Sequence, residues 1–327
     1  MKLASIEIIQ EILPHPNADF LEICRVLNYQ CIVKKGEYKV SQAIVFIQPD
    51  TILPEKEWAA FYKAKSNRVR AIRLRGVWSE GIIENPKNLG LPYDFVGMSI
   101  GVDISDIINV KKYELPEPQD LKAKGYLPFN LPTTDEERYQ NISIPYGQII
   151  DVTLKMDGKS FSAYAIQDNN TWNTWHTGIC SRRLEYKLES LNDFTKFQNI
   201  LEPLKSLAIE FDKSIVIRGE ITGEKIQSCK YNPHCKGEKQ LSIFSVYLPE
   251  EHRYTCPNED LYYQKVAEKL SLKTVPLLEK SVILTPELIK KYSEDLTQIN
   301  GNYFEGVVIK GNGFSFKIIN KFYDSLK

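Results

Sequence analysis

The chain has 327 residues, 43% of them hydrophobic and 26% charged, which is enough to build two separate cores. Forty-two Lys and Arg residues balance forty-two Asp and Glu residues, so the formal net charge is zero and nucleic-acid binding by bulk charge is excluded; any such surface must be a local patch. Acidic and polar residues interrupt the apolar positions of Met1 to Ile9, so this stretch is neither a signal peptide nor a membrane span and implies an intracellular, cytoplasmic setting, nucleus or organelle being left open.

From the N-terminus, the apolar segment Ile6 to Leu13 runs into the turn formers Pro14, His15, Pro16, Asn17 and Asp19. Short strand-like runs follow at Phe20 to Asn28, Gln30 to Lys34, Ala43 to Ile47, Val69 to Arg73 and Gly81 to Ile83. Their close spacing, broken by Gly, Pro and Asp, predicts a small barrel. The wording His15-Pro16-Asn17-Ala18-Asp19, Val33-Lys34-Lys35-Gly36, Gln48-Pro49-Asp50-Thr51 and Arg73 to Gly81 resembles the OB-fold domains of the tRNA-binding type. Lys63, Lys65, Arg68, Arg70, Arg73 and Arg75 crowd near Phe61, Tyr62 and Trp78. A basic face with aromatic neighbours suits a sugar-phosphate backbone, the alternative being a solvated strand face.

The resulting organisation is an OB-fold nucleic-acid-binding domain over 1–110, a proline- and charge-rich linker over 111–130, and a second domain over 131–327. Near Leu131 to Arg138 a Thr or Asp can cap a short helix with an acidic first turn. Strands are expected at Ser160 to Ile166, Trp172 to His176, Ser214 to Ile221, Leu241 to Tyr247 and Phe304 to Lys310. Helical periodicity marks Leu184 to Asn192, Leu201 to Phe211, Leu261 to Leu270 and Pro286 to Tyr292. The fold class is α+β, with antiparallel sheets and flanking helices. The six cysteines, at 24, 31, 180, 229, 235 and 256, show no Cys-x-x-Cys pairing, which favours reduced thiols. Cys229, His234 and Cys235 lack a nearby fourth ligand and read as a polar loop rather than a zinc site.

The chemistry centres on Lys155-Met156-Asp157-Gly158, directly after an apolar run. Gly158-Lys159-Ser160 is not a phosphate loop, because Thr153 stands where that loop needs its first glycine. Downstream, in order, come Cys180-Ser181-Arg182, Val216 to Ile221, Ile243 to Tyr247, Glu305 to Lys310 and Phe316-Lys317-Ile318. These resemble motifs I, Ia, III, IIIa, IV and V of the covalent nucleotidyltransferases. With an OB domain ahead of motif I and the chain ending soon after motif V, the layout resembles the type 5 ATP-dependent RNA ligases; DNA ligases and capping enzymes usually carry their OB domain after motif V.

The resemblance implies a ligase that joins 3′-OH and 5′-phosphate ends through a lysyl-AMP, sealing nicks or breaks in RNA-containing duplexes as in RNA repair. Lys155 would be the nucleophile toward ATP. Asp157, Glu220 and Glu305 are hard oxygen donors suited to Mg2+ or Mn2+, directly or through its waters, Glu220 alternatively holding the ribose. Lys310 and Lys317 would supply positive charge to the phosphates. Phe244 resembles the residue that stacks on adenine, although by burial preference alone it reads as core. Arg182 resembles the arginine near the nucleotide and the 3′-OH strand; Arg138 either reaches the outer phosphates or lies on a surface helix. Ser315 stands where related enzymes carry the first lysine of a Lys-x-Lys; either a serine is normal for this branch, or Lys321 or another cation substitutes. The expected partners are RNA or RNA–DNA hybrid ends, with no membrane and no obligate protein partner. The rival readings are an RNA-capping guanylyltransferase and a non-catalytic RNA- or tRNA-binding protein.

Overall fold

A computed structural model describes residues 2–91, 100–113, 121–128, 136–168, 174–227, 234, 236–293 and 304–326. The chain divides into two compact units, Met1–Pro116 with Tyr139–Ser143, and Glu117–Arg138 with Ile144–Lys327.

The first unit contains β1 (Ala4–Ile8), β2 (Glu11–Pro14), β3 (Leu21–Val26), β4 (Tyr29–Lys34), β5 (Ala43–Ile47), β6 (Thr51–Ile52), α1 (Ala60–Lys63), β7 (Ile72–Leu74), β8 (Val77–Ser79), β9 (Ile82–Glu84), α2 (Ser105–Ile108) and β10 (Lys111–Lys112). They pair as β1-β5-β9, β2-β3-β4, β7-β8 and β10-β6. β5 explains its own unbroken apolar run, because Val45 and Ile47 enter one core with Ala4, Ile6 and Ile104 while Ile44 and Phe46 enter another with Cys24, Val26 and Tyr29. Three local expectations change. Ile6 to Leu13 is two strands interrupted at Ile9-Gln10; the strand expected from Val69 starts only at Ile72; and Lys111-Lys112, placed in a linker, is a strand on Thr51-Ile52. Of the remaining linker span, 114–120 and 129–130 lie outside the described residues, whereas Ala123–Tyr126 is a strand.

The second unit contains β11 (Ala123–Tyr126), β12 (Ile149–Lys155), β13 (Lys159–Gln167), β14 (Trp175–Cys180), β15 (Leu184–Tyr186), α3 (Leu201–Phe211), β16 (Ile215–Thr222), β17 (Gln240–Leu248), β18 (Arg253–Tyr254), α4 (Tyr263–Lys269), β19 (Lys273–Thr274), β20 (Leu277–Ile283), α5 (Pro286–Ser293), β21 (Gly306–Gly311), β22 (Phe314–Ile319) and α6 (Lys321–Leu326). One sheet runs β11-β15-β14-β13-β16-β17-β18 with β19 joined to β17, and a second runs β20-β12-β21-β22. Alternation sorts the side chains of β13 and β16. Phe161, Ala163, Ala165, Ile215 and Ile217 pack with Leu204, Leu207 and Ala208 of α3, while Tyr164, Ile166 and Val216 form a smaller cluster on the opposite face with Tyr247.

The helix expected over Leu184 to Asn192 is instead β15 followed by turns. Its residues pair with β11 and with Cys180 of β14, and Tyr186 stacks on Phe194 at 4.8 Å, so sheet contacts override the local helical period. The strand expected from Trp172 begins at Trp175, 172–173 lying outside the described residues. Residues 131–135, where a helix cap was expected, are likewise outside; Arg138 itself is buried and bridges Lys317 rather than riding on a surface helix. β20 had no announcement in the sequence. Among the described residues no helix is long and apolar enough to cross a membrane.

Candidate active site

β12 delivers Lys155 to the end of its strand, opposite Gly306 of β21 in the antiparallel register. That register brings Glu305, one residue before β21, against the lysine, and Lys155 Nζ donates to Glu305 Oε2 at 2.6 Å. Gly306 is required here: its φ is +155°, and a Cβ would lie 2.1 Å from the Ile318 carbonyl oxygen of β22.

The turn after Lys155 is clamped on both sides. Glu220 of β16 accepts from the Gly158 amide at 3.0 Å, and Gln227 Nε2 donates to the Gly158 carbonyl at 2.7 Å. A Cβ at Gly158 would stand 2.3 Å from the Ile221 oxygen, so the close approach of the turn to β16 explains the glycine. Between them Asp157 is buried and accepts a hydrogen bond from Tyr323 Oη of α6 at 2.8 Å.

Lys155, Asp157, Glu220 and Glu305 form one electrostatic group. Burial pushes the Glu220 carboxyl up to about 8; Glu305 and Asp157 push the same way, while Lys155 and the Gly158 amide oppose them. His234 belongs to the same neighbourhood: burial lowers its pKa, and the Asp157 and Glu305 carboxylates partly offset that. The polar-loop reading of Cys229 to Cys235 missed this histidine. The only signal in the sequence was its placement between two cysteines that themselves lie outside the described residues.

Lys155, Arg182, Glu220, Phe244, Lys310 and Lys317 line a single cavity, together with Glu136, Met156 and Ser160. Phe244 is half-buried rather than sealed in the core, so a ring surface remains on the cavity wall. Lys310 donates to the Phe244 carbonyl and, at 3.2 Å, to Ser245 Oγ, and its ammonium lies 5.6 Å from the Phe244 ring centroid. Burial lowers its pKa. Lys317 is held through its backbone, its amide donating to the Glu137 carbonyl at 2.8 Å beside the Arg138 bridge. Ser315 donates to the Glu136 carboxylate, so that position adds a hydroxyl rather than a second phosphate cation; Lys321 does not line the cavity.

The acidic residues do not form a ready-made metal shell. Among the described residues no three His, Cys, Asp or Glu side chains are grouped so as to hold an ion, and Asp157, Glu220 and Glu305 are each engaged by Tyr323, Gly158 and Lys155 respectively. The donor set nevertheless suits a hard divalent cation that keeps most of its waters and shares its charge with a nucleotide, because three carboxylates crowd one another around a half-buried Glu220 on the cavity wall.

In the first unit, Arg68 of the basic cluster is not free for a phosphate backbone. Its guanidinium donates to Asp50 Oδ1 through Nε at 2.9 Å and lies 4.3 Å from the Tyr113 ring centroid, so it fastens the barrel. Arg73, over the Trp78 ring at 5.8 Å, and Arg75 sit at the β7–β8 hairpin, and Lys65 lies over the exposed Phe61 ring at 5.3 Å.

A strand-end lysine held by a carboxylate over a cavity with an aromatic wall and two further lysines is the arrangement of a covalent nucleotidyltransferase. The RNA ligase family model matches residues 149–319, and the chain belongs to that family. An OB-fold domain model matches residues 3–86, so the first unit is an OB fold placed ahead of the ligase unit. Among solved structures, the chain is similar to Naegleria gruberi RNA ligase: a Lys-to-Ala variant with ATP and Mn (27% identity, 99% of this chain and 98% of that chain, TM-score 0.82), a Glu-to-Ala variant with AMP and Mn (26%, 99% and 98%, 0.82), and the protein with PPi (28%, 99% and 98%, 0.80). No curated protein matches.

Proposed function

We infer that this chain is an ATP-dependent RNA ligase that joins a 3′-OH to a 5′-phosphate through an AMP adduct on Lys155. The observation that carries the reading is the placement of Lys155 at the mouth of the cavity, 2.6 Å from Glu305. The Naegleria gruberi enzyme, captured with ATP, AMP and PPi, supports the same course.

Attack requires the Lys155 amine to leave Glu305 and lose a proton. Its nitrogen then bonds to the α-phosphorus of ATP, the bond to the β-phosphate oxygen breaks, and pyrophosphate departs. Phe244 offers a face for the adenine. Lys310 and Lys317 hold positive charge at the cavity wall, where low dielectric strengthens its action on the developing phosphate charge. Glu220 orients the turn through the Gly158 amide. Asp157, Glu220 and Glu305 would hold Mg2+ or Mn2+ through its waters, the ion supplying charge stabilisation to the phosphates when bound. In the later steps AMP passes to a 5′-phosphate and the 3′-OH displaces it, with Arg182 at the cavity edge toward the incoming strand.

The substrates are RNA or RNA–DNA hybrid ends, with nicked duplexes the preferred form. The Arg73, Arg75 and Lys65 surface of the OB unit grips the backbone without reading sequence. The capping alternative is disfavoured by the OB fold preceding the ligase unit, and the non-catalytic one by the intact lysine–carboxylate pair. The polar residues that interrupt Met1 to Ile9 support an intracellular setting, the cytoplasm ahead of nucleus or organelle. Intact mass after incubation with ATP and magnesium tests the reading. A single added AMP that disappears in Lys155→Ala is expected; an unmodified parent protein, or GTP accepted in place of ATP, would overturn it.

A further inference from the structure

The short helix after β22 ties two of the site's carboxylate segments together. Asn320, fully buried, donates its backbone amide to the Glu305 carbonyl at 2.9 Å, and its Oδ1 accepts from the amides of Phe322 and Tyr323 at 3.1 and 3.4 Å. It is thus an N-cap that starts α6 at a defined point. One residue earlier, Ile319 is in register with Gly306, which is in register with Lys155. The helix therefore starts one strand away from the Glu305–Lys155 pair and carries Tyr323, also fully buried, to Asp157 at 2.8 Å.

We propose that Tyr323 is a positioning residue for nucleotidyl transfer, its hydroxyl orienting the Asp157 carboxylate while Asn320 anchors the same helix to the backbone of Glu305. This rests on Lys155 being the nucleophile. The terminal torsion of an aspartate is broad, so a hydroxyl donating to one oxygen favours one orientation of the carboxylate. Buried tyrosine hydroxyls usually find a partner whatever the fold. What distinguishes this one is that its partner lies two residues beyond Lys155, in a turn also held by Glu220 and Gln227.

A double-mutant cycle on single-turnover formation of Lys155-AMP tests the proposal. Tyr323→Phe, which removes only the hydroxyl, is expected to lower the rate at saturating ATP and manganese by about 10- to 100-fold, the scale of a small misplacement at a reacting centre. KM for ATP should stay within about threefold, and the rise in melting temperature on adding ATP and manganese should be retained. In an Asp157→Asn background the same change should cost nothing further. An unaltered rate, or an equal loss in both backgrounds, would overturn the proposal. Should Tyr323→Phe fail to fold, Asn320→Ser, which keeps a capping oxygen, is expected to label at near the parent rate and Asn320→Ala at least tenfold more slowly; equal rates for the two would likewise overturn it. Labelling that survives Lys155→Ala would refute the nucleophile assignment instead, a distinct outcome.

Discussion

Lys155 and Glu305 lie 150 residues apart in the chain, yet their side chains meet at 2.6 Å because β12 and β21 are antiparallel neighbours whose register pairs Lys155 with Gly306. In the proposed reaction the pair would hold the lysine in a defined place before the nucleotide arrives. The same ion pair would then have to open for the amine to attack, which would make the acid both a holder and a gate.

Replacing Lys155 with alanine should abolish covalent AMP labelling and the joining of ordinary 5′-phosphate ends. Substrates supplied already adenylylated at the 5′ end should still be sealed to a measurable extent, because the final step does not use the lysine as nucleophile. Gel analysis of both substrates checks this, and labelling in the variant would remove Lys155 from its role.

Chelation of divalent ions should stop Lys155-AMP formation, since the acidic side chains of Asp157 and Glu305 near the cavity otherwise repel a triphosphate. Glu305→Ala and Asp157→Ala are expected to slow the step by at least about 100-fold, in the range of lost transition-state electrostatics. Glu220→Ala should also be impaired, and titrating the metal at saturating ATP tells a metal role from a ribose role. Full labelling of the parent protein in chelator would count against the arrangement.

Glu220 should leave a signature in the pH dependence of stability. Burial, with Glu305 and Asp157 nearby, raises its carboxyl from 4.5 to about 8. Between those values the folded state binds more protons than the unfolded one, so ligand-free stability falls as pH rises and levels off above about 8. The slope from this group is at most about 1.4 kcal/mol per pH unit. Denaturant melts of the parent and Glu220→Gln between these limits should show the parent losing more, and parallel curves would contradict the account.

In the OB unit, two kinds of arginine substitution should separate. Arg68→Ala breaks the link to Asp50 and Tyr113 and should cost about 1–3 kcal/mol of stability, a drop of several degrees in Tm. Arg73→Ala with Arg75→Ala should leave Tm nearly unchanged, weaken RNA binding and flatten its salt dependence. Thermal melts and binding at two salt concentrations distinguish them; equal loss of RNA affinity from Arg68→Ala at intact stability would restore it to the binding face.

Legible in the chain alone is an ordered series of short stretches, and their resemblance to the motifs of the covalent nucleotidyltransferases is what singled out Lys155, Arg182, Glu220, Phe244, Glu305, Lys310 and Lys317, since residue type and order are written along the chain. The same logic marked the long strands β13, β16 and β17 and the helix α3, whose burial follows from their own alternation or periodicity. What the tertiary structure decided is which partner each group meets. Residues 184–186 had a helical period but became a strand through pairing with β11 and β14; Arg68 looked available for a phosphate but is spent on Asp50; His234 read as part of a polar loop, and Tyr323 carries no local mark of the site it stands beside. Hydrogen-bond partners and desolvation depend on register between segments far apart in the chain, and no periodicity within a segment encodes that register.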